Sequence, residues 1–195
     1  GRDPRGRSER GLVSNAVDDD GLPHSERLGQ QSLQLTGFLN SEGVAAERLR
    51  PLIAPQLSLD TFEGRAWVSM TPFTMRGIRP IFLPPLPLVS QSHKLNVRTY
   101  VLFDDVPGVW FFSLDASNTL AVLGARATLG LPYFLARMRV QEEHADIQFT
   151  SIRTHPWAPA ARFEGTWSRG EPLPSPPPDS LDFFLVERYC LYTVH

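Results

Sequence analysis

The chain has 195 residues, 42% of them hydrophobic, and a formal net charge of −2 at pH 7. This size and apolar content suit one ordinary hydrophobic core. The small net charge, with the arginines spread along the sequence, argues against a nucleic-acid partner. No apolar run approaches the roughly 20 residues that span a bilayer, and no signal-like segment opens the chain. Because Cys190 is the one cysteine, no internal disulfide can form, and we expect a cytoplasmic protein without a membrane partner.

Composition divides the chain into an extension and a domain. Residues 1–31 are rich in Gly, Arg, Ser and Asp and follow neither the helical nor the strand period, which predicts a disordered extension. A single domain is predicted over 32–195, beginning with a short strand within 32–39. The proline-rich stretches 83–88 and 171–179 predict extended connections, because proline excludes helix at its own position and largely at the preceding one.

The domain continues with a predicted helix and a predicted strand. Apolar residues at helical spacing follow a Ser41 cap, and Pro51 and Pro55 stop the helix. Residues 65–71 alternate between apolar and polar, as a strand does. Pro72 is expected to break this strand or to confine it to a sheet edge.

The densest aromatic and apolar content lies in residues 94–117, which predict two strands joined by a turn. From Leu95 to Phe103 alternate side chains point to opposite faces. Residues 104–108, DDVPG, supply turn chemistry. The second strand, 109–114, is apolar on both faces, so we expect it to lie centrally in a sheet.

Strands also dominate the second half of the chain, and its last strand reaches the end of the sequence, from which we expect the chain to be truncated. In the helix predicted after residue 118, Leu120, Leu123 and Ala127 are expected to face the core, with Ala121 and Val122 as further candidates. The order of elements predicts a mainly β (α+β) fold, an antiparallel sheet that is closed or sandwiched, with two or three short outer helices. The elements are a helix over 119–129, strands over 133–140, 145–153 and 160–167, a short helix begun by Ser180, and a strand over 188–194.

The common catalytic and cofactor motifs are missing from the sequence. There is no GxSxG, HExxH, Walker A or strand-to-helix GxGxxG pattern. The histidines show no ligand spacing, so we expect neither a metal nor a cofactor. Cys190 alternates with Tyr189 and Leu191 as a core residue would, which predicts an inert thiol.

Five sequence blocks, in this order, resemble the YqjF-like family of uncharacterised proteins: LDTFEGRAWVSMTPFTM, LNVRTYV, PGVWFFSLDAS, ARATLGLPYFLARM and SLDFFLVERYCLYT. The fold of that family is allied to acetoacetate decarboxylase. The resemblance therefore implies an antiparallel β-barrel or double β-cone around a small internal cavity. The family continues beyond the last of these blocks, so the resemblance also implies that the barrel is incomplete at the C-terminus.

The resemblance bears on Lys94, the single lysine of the chain. Acetoacetate decarboxylase works through a lysine Schiff base, which requires a neutral amine. The lysines of that fold follow a turn similar to residues 130–132, where this chain has Tyr133 and Phe134. Lys94 lies elsewhere, at a strand entrance where the family commonly has an acidic residue. The resemblance thus implies that Schiff-base decarboxylation is absent and that Lys94 is solvated.

Polar residues at predicted inward positions form the candidate site. An arginine flanked by tyrosines in an apolar cavity is a good receptor for a small carboxylate. The leading hypothesis is a protein that binds a small anionic or carbonyl-bearing molecule, chiefly through Arg98, Tyr100 and Tyr133. The candidate ligand-binding residues are Asn96, Arg98, Tyr100, Arg126, Tyr133, Arg188 and Tyr189.

Two other functions remain open from the sequence. One is a lyase- or hydrolase-type enzyme that uses Glu187 or Asp115 as general base. The other is a structural or interaction module without a ligand, in which Arg98, Asp115 and Glu187 pair with one another and fix the strand register. The sequence decides neither the ligand nor the oligomeric state.

Overall fold

The computed structural model describes residues 12–15, 34–37, 39–76, 91–168, 170 and 174–194. These ranges contain strands β1 (Leu12–Asn15), β2 (Gln34–Gly37), β3 (Asn40–Val44), β4 (Ser58–Leu59), β5 (Ala66–Arg76), β6 (Gln91–Phe103), β7 (Val106–Ala116), β8 (Tyr133–Glu143), β9 (Asp146–Arg153), β10 (Arg162–Ser168) and β11 (Cys190–Val194). The helices are α1 (Ala46–Leu49), α2 (Thr119–Leu129) and α3 (Leu181–Val186), and a 3₁₀ turn spans Arg50–Leu52.

The strands form one curled sheet in the order β10-β9-β8-β7-β6-β5-β2. β3 pairs with β5 beside β2, β4 pairs with β6, and β11 lies between β7 and β1. The predicted mainly β class is confirmed, in the form of a half-barrel. Most pairs are antiparallel, but β7 pairs in parallel with both β8 and β11. Alternation along a strand does not reveal these two parallel pairs, since it specifies a face and not a direction.

The predicted central hairpin is the middle of this sheet. β6 and β7 pair antiparallel from Lys94 with Ala116 to Phe103 with Val106. The turn between them is tighter than expected, with Asp104 at φ 48° and Asp105 at φ 64°. Positive φ at both central residues is the type I′ geometry that matches the twist of a two-residue hairpin.

A β-bulge interrupts the hairpin. Val97 pairs with Ser113 and Arg98 pairs with Phe111, so Phe112 has no opposite residue on β6. The extra residue lies in β7, and the alternation of β6 is unbroken. Even-numbered β6 side chains therefore share one face along the strand.

The prediction that Ser41 caps a helix is wrong. Ser41 lies in β3, paired with Ser69 of β5, and the helix α1 begins after Ala45 without a side-chain cap. A single sheet pairing outweighs the local preference for a cap, because β3 is hydrogen-bonded along its length to β5. The predicted helix shrinks to α1 and the 3₁₀ turn, where Pro51 stands at the start.

Of the two outcomes expected at Pro72, a break in the strand is wrong, because β5 continues to Arg76, and an edge position holds only at Pro72 itself. Pro72 pairs with Leu95 of β6. On the other edge of β5, β2 ends opposite Phe73 and β3 begins opposite Met70. Pro72 thus lies at the break between two short strands, where a missing N–H group removes no ladder hydrogen bond.

Helix α2 forms as predicted, but of the residues expected on its buried face Val122 is buried and the three leading ones are not. Val122 is 1% exposed, whereas Leu120 is 70% and Leu123 is 57% exposed, and Ala127 is also exposed. Apolar residues lie on most sides of this helix, so its sequence does not select the packed face. Gly130 at φ 62° ends the helix in the left-handed conformation that glycine adopts at low cost.

The two faces of the central strands carry separate cores. On one face, loop residues 53–57 cover Val101 and Tyr192. On the other, helix α3 places Phe184 and Leu185 on Tyr100 and Val109. We call the second surface the α3 face. Ser180 begins α3 as predicted, since its hydroxyl accepts a hydrogen bond from the N–H of Phe183.

The remaining predicted strands are all present: the short strand within 32–39, the hairpin of β8 and β9, strand β10 and the final strand β11. β1 falls within the segment predicted to be disordered and pairs with β11. The other residues of 1–31, and the extended connection 83–88, lie outside the described residues. The division into an extension and a single domain stays a prediction.

Gly108→Ala is expected to destabilise the fold by about 1–3 kcal/mol through overpacking. A Cβ at this position would lie 2.5 Å from Cε2 of Tyr192 and 2.8 Å from the carbonyl oxygen of Cys190, where β11 docks on β7. Gly124→Ala is the matched control, because nothing lies within 4 Å of its Cβ position in α2. Alanine there should stabilise by about 0.5–1 kcal/mol. Chemical denaturation measures the free energy of unfolding of both variants. Equal changes would contradict the close approach of β11 to β7.

Candidate functional site

Polar side chains follow one another on the α3 face of β6. Lys94, Asn96, Arg98 and Tyr100 occupy alternate positions and therefore point to the same side. The register pairs Asn96 with Thr71 and Arg98 with Ser69 of β5, which places these two hydroxyls on that side as well. We call this set the polar row; it consists of Ser69, Thr71, Lys94, Asn96, Arg98 and Tyr100.

One end of the polar row is a chain of hydroxyl groups. The Tyr100 hydroxyl donates to the carbonyl oxygen of Leu185 over 3.1 Å and lies 2.6 Å from Oγ of Ser69. Ser69 Oγ in turn lies 2.7 Å from Oγ of Ser41. A carbonyl only accepts, so the protons in this chain point from β3 towards α3. Tyr100 and Ser69 are fully buried, and these bonds fix both side chains.

Arg98 is held by a neutral partner. Its Nη2 donates to the carbonyl oxygen of Leu185 over 3.0 Å, and its guanidinium carbon lies 5.6 Å from the centre of the Tyr100 ring. Nε of Arg98 is buried without a hydrogen-bond partner, and so are Oδ1 of Asn96 and Oγ1 of Thr71. These three unpartnered atoms belong to neighbouring side chains of the polar row.

Lys94 stands at the other end of the row and is half-buried. Its Nζ lies 3.4 Å from the Tyr133 hydroxyl and 5.4 Å from the centre of that ring. Lys94 therefore contacts Tyr133, where simple solvation was expected. Arg126 reaches only the backbone of this residue, donating to the carbonyl oxygen of Tyr133 over 2.7 Å from an exposed position. Among the residues that the structure describes, no carboxylate pairs with Lys94 or Arg98.

Arg188 is near the row but is engaged elsewhere. Its Nη2 lies 2.9 Å from Oδ2 of Asp60, with only 7% of the arginine side chain exposed. The guanidinium carbon also lies 4.4 Å from the centre of the Phe184 ring. Burial raises the pKa of Asp60, and the charge of Arg188 opposes that rise. Arg188 thus joins the segment before β11 to the loop after β4.

Tyr189 and Glu187 form a surface pair. The Tyr189 hydroxyl donates to Oε2 of Glu187, and Tyr189 is 66% exposed. This hydrogen bond raises the pKa of Tyr189, because the carboxylate stabilises the protonated phenol. Tyr189 does not face the polar row.

Asp115 lies on the face opposite α3 and is bound by Arg153. Two nitrogens of Arg153 reach its carboxylate, with Nη2 at 2.7 Å and Nε at 3.0 Å from Oδ1. The side chains are 10% exposed for Arg153 and 3% for Asp115, and Phe134 stacks on the guanidinium at 4.2 Å. Burial raises the pKa of Asp115, and Arg153 partly offsets this. Both oxygens accept from Arg153, so Asp115 is held in a buried ion pair on the face away from the polar row.

Sequence reasoning missed Arg153 and Asp60, the true partners of two predicted site residues. Asp60 and Arg188 are 128 positions apart, and Asp115 and Arg153 are 38 apart. The pairing of β8 with both β7 and β9 brings the second pair together. Phe134 and Phe184 pack on the two guanidinium groups, but only Phe184 is near its arginine, Arg188, in the sequence, so no local signal pointed to the Asp115 pair.

A cleft of about 300 Å³ opens at the edge of β7, apart from the polar row. β11 pairs with β7 up to Trp110 and β8 from Leu114 onwards, which leaves a notch between them. None of the predicted site residues lines this cleft. About half of its wall surface is polar, but none of the described residues that line it carries a charged side chain: Leu52, Trp110, Phe111, Phe112, Gly130, Leu131, Pro132, Tyr192 and Thr193.

Within the described ranges, no group of three or more His, Cys, Asp or Glu side chains could hold a metal ion. Of the helices described, none has the length and apolar character needed to cross a membrane.

Comparison with known proteins defines the family. Residues 31–195 match the family model of DUF2071, whose description is "Uncharacterized conserved protein". The chain is a DUF2071 protein. It is 42% identical over 150 residues to the uncharacterized protein YqjF of Bacillus subtilis strain 168, which covers 75% of this chain and 60% of YqjF. The predicted resemblance to the YqjF-like family is confirmed, and the chain spans about 60% of the length of this curated relative.

Solved structures share the fold of this DUF2071 protein at low sequence identity. The enduracididine biosynthesis enzyme MppR complexed with pyruvate has a TM-score of 0.51 at 11% identity, covering 86% of this chain and 68% of MppR. MppR with the condensation product of pyruvate and imidazole 4-carboxaldehyde has a TM-score of 0.52 at 10% identity, covering 73% and 57%. Acetoacetate decarboxylase from Legionella pneumophila has a TM-score of 0.45 at 14% identity, covering 64% and 44%. The two MppR structures, whose TM-scores exceed 0.5, share the fold of this chain, and identities this low say nothing of activity.

Asp115→Ala is expected to cost about 3–5 kcal/mol of folding free energy, because it leaves the guanidinium of Arg153 buried without a counter-charge. Glu164→Ala is the matched control, since the ion pair of Arg162 and Glu164 has both side chains about two-thirds exposed, at 66% and 67%. That change should cost about 0–1 kcal/mol. Urea denaturation of both variants checks the difference. A small effect at Asp115 would contradict a structural role for the buried pair.

Proposed function

We propose that this DUF2071 protein binds a small carboxylate- or carbonyl-bearing molecule at the polar row. The supporting observation is the group of three neighbouring buried polar atoms without a partner, on Thr71, Asn96 and Arg98. A buried polar group that lacks a hydrogen bond costs about 1–3 kcal/mol, and a ligand that supplies the missing partner recovers part of this.

The hydrogen-bonding capacity of the row suits such a ligand. Nε of Arg98 can only donate, and the Thr71 hydroxyl can donate as well. A carboxylate accepts from both. The amide of Asn96 pairs with a donor through its oxygen or, in the flipped orientation, with an acceptor through its nitrogen. Lys94 and Tyr133 add further donors at the end of the row.

The charge of the site also favours an anion. Arg98 and Lys94 have neutral neighbours, the carbonyl oxygen of Leu185 and the hydroxyl of Tyr133. Cations that lose water on burial without a counter-charge raise the free energy of the fold. An anionic ligand lowers this cost, and the nearby Tyr100 ring stacks on Arg98 and limits its movement.

The two rival functions have less support. For a lyase or hydrolase, Asp115 would have to face the row, and it lies on the opposite face under Arg153. The other candidate base, Glu187, accepts from exposed Tyr189. For a module without a ligand, Arg98 was expected to pair with these carboxylates, and its observed partner is a carbonyl group. Location in the cytoplasm and the absence of nucleic-acid and membrane partners stay predictions.

Pyruvate is a suitable first probe, because MppR, which shares this fold, has been crystallised with it. Isothermal titration of the 195-residue chain with pyruvate is expected to show binding that Arg98→Gln weakens by about tenfold or more, the loss of a charged hydrogen bond. Arg98→Lys keeps the charge without the guanidinium fork, so its affinity for pyruvate should lie between those of the wild-type chain and Arg98→Gln. Arg162→Gln is the control, because this exposed arginine pairs only with Glu164 on β10.

Circular dichroism melts of each variant separate loss of binding from loss of the fold. Wild-type affinity in a folded Arg98→Gln protein would refute the assignment of Arg98. Borohydride treatment in the presence of pyruvate is expected to leave the mass of the chain unchanged. A mass increase at Lys94, the single lysine, would show that pyruvate forms a Schiff base there and would contradict non-covalent binding.

A further inference from the structure

We infer that the ligand of the polar row has two anionic ends, as in a short dicarboxylate, with one end bound by Arg98 and the other by Lys94. This inference rests on the proposed function and names the class of ligand for the same site. It follows from the arrangement of charge along β6, where two cations share one face with only neutral side chains between them.

The distance between the two cations suits a molecule with separated charges. Lys94 and Arg98 are four residues apart on a regular stretch of strand, which sets their Cα atoms about 13 Å apart. Their polar ends are held by different groups, Lys94 by Tyr133 on β8 and Arg98 by Leu185 on α3. A carboxylate bound at one of these two places leaves the other cation without an anionic partner. A chain with a carboxylate at each end supplies both.

Each end of the row retains unused donors. An ammonium group has three N–H donors, and the Tyr133 hydroxyl accounts for one of those of Lys94. The guanidinium of Arg98 has five, of which Nη2 is used by Leu185 and Nε is buried without a partner. Within the described part of the chain no carboxylate pairs with either residue. Two incompletely satisfied cations require two negative groups for neutrality.

The middle of the row fits the uncharged part of such a molecule. Thr71 and Asn96 form a cross-strand pair between the two cations, and both side chains are neutral and half-buried. They contribute hydrogen bonds and no charge. The ligand is therefore expected to carry its charge at its ends, with a roughly four- to six-carbon chain bridging the row.

The test compares monocarboxylates with dicarboxylates of equal chain length at constant ionic strength. Titration calorimetry uses butyrate against succinate, pentanoate against glutarate, and hexanoate against adipate. In the wild-type chain, the best dicarboxylate is expected to bind about tenfold more tightly than its monocarboxylate. Constant ionic strength is needed because salt screens exposed charges.

Two substitutions assign the ends. Lys94→Met, which nearly keeps the length of the side chain and removes the charge, is expected to weaken the best dicarboxylate by about tenfold and its monocarboxylate by less, so that the preference for dicarboxylates is lost. Arg98→Gln is expected to weaken both classes by about tenfold or more. Arg162→Gln on β10 is again the control, and melting curves show whether each variant is folded.

The outcomes separate this inference from the proposed function. If the wild-type chain binds pyruvate or monocarboxylates but has no preference for dicarboxylates, the two-ended ligand is wrong and the proposed function stands. If Lys94→Met weakens both classes equally, both cations bind one anion and the inference is likewise overturned. If no carboxylate and no pyruvate binds, the proposed function itself fails.

Discussion

Strand β6 is hydrogen-bonded along both of its edges, to β5 on one side and to β7 on the other, and every other part of the structure depends on this register. Each of its side chains is committed to one of two covered faces. Val101 enters the core under the loop 53–57, and Tyr100 enters the core under α3. A slip of one residue would exchange the apolar positions with the polar row. The register therefore specifies the core and the candidate site together. The bulge at Phe112 leaves the facing of β6 unchanged but shifts that of β7, so that Asp115 pairs with Leu95 on the face opposite α3.

The charged groups inside the sheet fall into two kinds. Two ion pairs join distant segments, Asp115 with Arg153 and Asp60 with Arg188. Removing one partner would leave the other charge buried without a counter-charge. Arg98 is different, because its partner is the carbonyl oxygen of Leu185 in the last turn of α3. Such carbonyls lack a partner within their own helix, and Arg98 and Tyr100 satisfy this one. The same arginine thus holds α3 on the sheet, while within the described residues its charge has no carboxylate partner.

About half of the candidate site could be predicted from the sequence. Asn96, Arg98 and Tyr100 share a face because strand alternation is local, and the structure brings them together. Lys94 belongs beside them, though it was expected to be solvated; its contact with Tyr133 depends on β8 lying next to β7. Arg188 and Asp115 were grouped with the row because they are charged residues in apolar surroundings. Their counter-charges come from other parts of the chain, and no local pattern identifies which carboxylate meets which arginine.

The sequence by itself determined the mainly β class, the β6–β7 hairpin, the β8–β9 hairpin and the starts of α2 and α3, because periodicity, turn residues and caps act over a few positions. Only the tertiary structure decided that Ser41 belongs to a strand, that β5 passes through Pro72 and that Leu120 of α2 faces outwards. Each of these depends on what lies across the sheet or beneath the helix. Long-range pairing and packing choose between local options of similar free energy, and the partners that decide the choice are remote in the chain.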